Sequence, residues 1–85
     1  MKFILSQDGD HAVRSERIEE IYLDPEETRG LFGKRIECVT VEVACIDADT
    51  SITMATFDSD NTEENYKAAK KYLAELVEKL NGGTK

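Results

Sequence analysis

Basic residues, histidine, cysteine and long apolar runs are all scarce in this chain, and each scarcity removes a class of function. Lys and Arg number 11 against 18 Asp and Glu, for a net charge of −7. Phosphate affinity comes from cations that neutralise the backbone, so direct binding of nucleic acid or an anionic membrane is disfavoured. His11 is the single histidine. No multi-histidine zinc site is available within one chain, and no nucleophilic triad is built around it. The two cysteines, Cys38 and Cys45, fall on one expected strand, roughly 23 Å apart at about 3.3 Å per residue. A disulfide needs Cα atoms within about 7 Å, so they are expected as free thiols, which suits a reducing cytoplasm. After Lys2 only Phe3, Ile4 and Leu5 precede polar Ser6, too short a run for a signal peptide. No apolar stretch approaches the length that spans a bilayer. The expected location is cytoplasmic.

What is present is enough for one small core. A chain of 85 residues buries about 60–65% of its unfolded surface on folding. With 40% hydrophobic and 34% charged residues it has an ordinary globular composition. The acidity is uneven. Residues 1–60 hold 14 acids and 6 bases, whereas residues 61–85 hold 4 acids and 5 bases. The negative charge therefore belongs to the front of the chain.

That front alternates like strands. A short strand over residues 3–6 meets the turn Gln7, Asp8, Gly9, Asp10, and Ala12 and Val13 resume it. Ser15, Glu16 and Arg17 interrupt as a single helical turn. A second extended segment follows over residues 18–23. Ile18 is out of phase with Ile21 and Leu23, which predicts a bulge or bend there. Residues 24–34 read as a loop: Pro25 argues against a sheet interior, and Gly30 and Gly33 loosen the chain. The longest strand is expected over residues 35–47, with Val39, Val41, Val43 and Cys45 on one face and Thr40, Glu42 and Ala44 on the other. A turn over residues 47–50 leads to a strand over 51–57, with Ile52 and Met54 on one face and Ala55 and Phe57 on the other.

The last third is one amphipathic helix. Asp60 with Glu63, or Asn61 with Glu64, forms a capping box at its start. Tyr66, Ala69, Leu73, Leu76, Val77 and Leu80 recur at three- and four-residue steps and make one apolar stripe. Asn81, Gly82 and Gly83 accept the left-handed cap that ends it. The pattern predicts an α+β domain over residues 1–82. Its antiparallel sheet is a meander of about four strands, with the helix packed on one face. Residues 83–85 are expected as a tail. One helix covers one side of a sheet, and Thr40, Glu42, Thr53 and Thr56 make the other side largely polar.

The run KFILSQDG, then AVRSERIEEIYL, a long strand and the terminal YKAAKKYLAELVEKL together resemble short proteins of Gram-positive bacteria, their phages and mobile elements. No site motif travels with this resemblance, so it implies neither an activity nor a binding residue.

Three constellations bear on chemistry. Asp8, Asp10 and His11 share a turn, but such residues are also ordinary turn formers, and no metal or cofactor is expected there. Asp58, Asp60 and Thr62 open like a calcium loop, yet Glu63 replaces the sharp-turn glycine and Ala69 the bidentate glutamate. Gly30, Leu31, Phe32, Gly33 and Lys34 do not make a phosphate loop, which needs GxxxxGK followed by Ser or Thr. They do place Leu31 and Phe32 between glycines, bracketed by Arg29, Lys34 and Arg35. Those five residues are the candidate partner-binding set. The expectation is a non-enzymatic domain that binds protein, either another copy or a host factor. The alternative is an acidic nucleic-acid mimic that inhibits a host defence machine, as anti-CRISPR and anti-restriction proteins do. A small enzyme or ligand-binding protein ranks third.

Overall fold

Strand β1 (Phe3–Leu5) and strand β2 (Ala12–Arg14) pair antiparallel as a small hairpin in a computed structural model that describes residues 3–82. The expected tail, residues 83–85, lies outside the described residues. A 3-10 turn over Ser15–Arg17 then redirects the chain into β3 (Ile18–Arg29). Strands β3, β4 (Arg35–Cys45) and β5 (Ile52–Phe57) form a three-stranded antiparallel meander in that order. Helix α1 (Thr62–Leu80) closes the chain. The α+β class, the antiparallel meander and the C-terminal helix are as expected, and the strand number is close to the expected four; among the described residues the strands divide into a two-stranded and a three-stranded sheet. The bond from Gln7 N–H to Met54 C=O (2.6 Å) ties the hairpin beside the outer edge of β5.

The core lies between the sheet and α1. Val39, Val41 and Val43 are 0% exposed, with Ala55, Met54, Ala69 and Leu76 around them. Ile4 and Val13 reach in from the small hairpin. The register shifts between Ile18 and Glu20, where Glu19 is the extra residue, so the expected irregularity at Ile18 is present. A second shift makes Met54 the extra residue of β5. That bulge overrides strict alternation, and Ile52, Met54, Ala55 and Phe57 all pack against one core. Of the helix stripe, Ala69 and Leu76 are buried, and Tyr66, Leu73 and Leu80 pack at the margin. Val77 is among the exposed hydrophobics instead.

The expected loop over residues 24–34 is mostly strand. β3 continues to Arg29 and stays in register with β4 from Pro25 opposite Val39 to Arg29 opposite Arg35. Pro25 is compatible with this because β3 is an edge strand, where a missing N–H need not break a ladder. β5 ends at Phe57 opposite Val39. Residues 26–38 therefore run on as a two-stranded ribbon, about 13 Å of paired strand beyond the last rung of β5. The radius of gyration is 13.9 Å, against about 12 Å for a compact chain of this length.

Candidate functional site: the ribbon tip

Every residue from Asp24 to Arg29 is exposed, so the ribbon brings no β3 side chain into the core. Its pairing is supplemented by a local contact: Ile36 is buried against Gly30, where a Cβ would collide with the Ile36 side chain. The chain reverses through a 3-10 turn over Leu31–Gly33. Gly30 N–H donates to Lys34 C=O (2.7 Å) and Gly33 N–H to Gly30 C=O (3.2 Å).

Phe32 stands at the apex with φ 61° and ψ 24°, and it is 104% exposed. An L-residue in the left-handed region costs roughly 1–2 kcal/mol, and this one gains no burial in return. Arg29 closes the turn from below, its Nη1 donating to Gly33 C=O (3.3 Å). Arg35 sits opposite Arg29 and forms an ion pair with Glu27 (3.1 Å). Lys34 is exposed. The structure thus gathers Arg29, Phe32, Lys34 and Arg35 at one end of the molecule, with the Leu31 backbone opening the turn. The side chain of Leu31 lies outside the described residues.

The other constellations are occupied by local structure. Asp8 accepts from Ser6 Oγ (2.6 Å) and from Asp10 N–H (2.9 Å). The Ser6 hydrogen bond, more than any other influence, holds the Asp8 carboxyl below its ordinary range. Among the described residues no group of three or more His, Cys, Asp and Glu is placed to hold a metal. Cys38 and Cys45 are free thiols, both half-buried, and Cys45 packs against the core. Glu42 is buried on the sheet face away from α1. Burial pushes its carboxyl up, but hydrogen bonds from Thr40, Thr53 and Ser51 outweigh it and the net shift is downward. Ser51 Oγ donates at 2.9 Å and Thr53 Oγ1 at 2.8 Å.

One polar element is left out of the apolar stripe of the helix. Asn65 is 2% exposed and uses its whole amide. Nδ2 donates to Glu37 C=O (2.9 Å) and Ser59 C=O (3.0 Å), while Oδ1 accepts from Ser59 N–H and Oγ (both 2.8 Å). Thr62 Oγ1 takes the Glu37 N–H (2.9 Å), and Tyr66 Oη donates to Glu37 Oε1 (2.7 Å). The first turn of α1 thereby satisfies the β4 backbone just where β5 runs out. This latch fixes the root of the ribbon. Its spacing is the sequence signal for it: Asn65 stands four residues before Ala69, in phase with the buried side of α1. Phe3 and Leu5 are exposed on the outer face of the small hairpin.

Among the described residues no helix is long and apolar enough to cross a membrane. No protein-family model matches the chain, and neither curated proteins nor solved structures give a match.

Proposed function

We propose that this chain is a non-enzymatic protein-binding domain that makes its contact through the ribbon tip. The observation that supports it is Phe32, fully exposed on a backbone conformation that disfavours it, at the far end of a projecting ribbon. Strain of this kind persists where a side chain is held for contact rather than for folding. Aromatic residues including Phe are enriched at the cores of protein interfaces, and Arg29, Lys34 and Arg35 supply a polar rim. The matching surface is an apolar notch edged by carboxylates.

A photo-crosslinking residue at position 32, used in the producing cell, tests this. The expected result is a protein adduct that is absent when the same residue replaces Glu78 on the helix. No adduct at 32, or equal adducts at both positions, would overturn the reading.

The second reading is the acidic mimic. Glu20, Asp24 and Glu26 alternate along one face of the exposed strand β3, and the resemblance to mobile-element proteins also favours it. Lys67, Lys70 and Lys71 on the helix weigh against one continuous acidic surface. A mimic would crosslink from position 24, not 32, and to a nucleic-acid-binding protein.

A further inference from the structure

We infer that the tip seats on the open face of the sheet, along β3, of a second copy of this chain, an inference that rests on the tip reading above. The open face is the one away from α1. Side chains alternate along a strand, so Glu20, Tyr22, Asp24 and Glu26 share it, facing β4 partners Ala44, Glu42, Thr40 and Cys38. Glu20, Asp24 and Glu26 are exposed, whereas Tyr22, Thr40 and Cys38 are half-buried. This makes a shallow strip with Tyr22, Thr40, Cys38 and the buried carboxylate of Glu42 at its floor and exposed carboxylates along its margin. The tip has the complementary set: one exposed ring with Arg29, Lys34 and Arg35 behind it. Arg35 keeps its Glu27 partner in this arrangement, because both residues alternate onto the face opposite the strip.

Both surfaces belong to the same β3–β4 hairpin. A paired ribbon cannot fold its tip back onto its own root, so the contact must join two molecules. Pairing of two β3 edges is the competing geometry. Pro25 offers no N–H there, and facing acidic strands would repel, two standard blocks to edge association. Docking on the face avoids both. The patches differ, so each copy presents one tip and one seat, and association runs head to tail. Arg29, Lys34 and one ring, beside an Arg35 still paired with Glu27, make a small contact, which predicts weak, salt-sensitive binding.

A mixing experiment decides it. Phe32→Ser keeps the seat and loses the tip. The double change Glu20→Lys, Asp24→Lys keeps the tip and loses the seat. Circular dichroism melts confirm that both fold. In sedimentation velocity across about 10 μM to 1 mM, the wild-type chain should gain mass with concentration and lose it at high salt. Each variant alone should stay monomeric. Their equimolar mixture should form a species of two chains and nothing larger. A wild-type chain that stays monomeric throughout, or a mixture that does, overturns the second-copy seat. If position 32 still crosslinks to a different protein in that case, the tip reading stands and only the seat falls. If position 32 crosslinks to nothing, both fall.

Discussion

Along the single strand β4 the surroundings change from closed core to open ribbon. Val39, Val41 and Val43 touch no solvent, while four positions earlier Arg35 is exposed and pairs only with the edge strand. The body holds the apolar burial that drives folding. The ribbon buries Ile36 and half-buries Cys38, and it carries charged residues, Thr28 and the bare ring of Phe32 at its surface. Two consequences follow from that division. Substitutions in the body should register as stability, and those in the ribbon as binding. A residue that violated the division would show where folding and contact are coupled.

The largest effect belongs to the body. Leu76→Ala removes a buried side chain between helix and sheet, and truncations of this kind cost about 2–5 kcal/mol. Thr28→Ala in the ribbon should stay within about 0.5 kcal/mol, as exposed substitutions do. Chemical denaturation of the two variants checks the contrast. Equal losses would mean that the ribbon is part of the cooperative core.

Next comes the junction between the two regions. Asn65→Ala leaves the carbonyls of Glu37 and Ser59 without their donor, and each unsatisfied buried group costs about 1–3 kcal/mol. Asn65→Asp should be no better, because a carboxylate faces those same two carbonyls. Hydrogen exchange would show whether the loss spreads into the ribbon. Faster exchange at residues 35–38 is expected, because the latch ends there. A variant as stable as wild type would remove Asn65 from the account.

Acid should act on the sheet face. The folded Glu42 carboxyl titrates below its ordinary value of 4.5 because hydroxyl hydrogen bonds favour the ionised form. Its contribution is therefore present above the unfolded value and is lost as pH falls through the folded one. Thermal melts of wild type and Glu42→Gln should diverge near neutral pH and converge as pH falls below the ordinary value of 4.5 and through the lower folded one. Parallel melting profiles at every pH would show that the carboxylate gives no such stabilisation.

Much of this division was legible in the residues, and the parts that were not share a cause. The helix start at Asn61, its stop near Gly82 and the valine alternation of β4 come from local chemistry, which sequence reports directly. Residues 24–34 read as a loop in sequence because Asp24, Pro25, Glu26 and Glu27 are poor strand formers. Only their place at a sheet edge, with β4 to pair against, makes them a strand. Met54 as an extra residue and Asn65 as a latch likewise depend on what stands opposite them. The five candidate residues were found from loop composition, although the element that carries them is a hairpin tip.

The smallest expected effect is the sharpest test of the comparison, because its two readouts move in opposite directions. Phe32 occupies a left-handed backbone conformation with no burial to offset the strain. Phe32→Gly relieves that strain, although glycine returns part of the gain as unfolded-state entropy. The net change should be a stabilisation of no more than about 1 kcal/mol, visible as a slightly higher Tm. The same variant should associate at least about tenfold more weakly, since the anchor ring is gone. A residue kept for folding would give the opposite pair: lower Tm and unchanged association. Phe32→Tyr separates ring from backbone, because it retains an aromatic anchor on the same strained turn. It should bind nearly as wild type and melt as wild type. If Phe32→Tyr and Phe32→Gly bind alike, the ring has no contact to make, and the ribbon is a bare extension of the body.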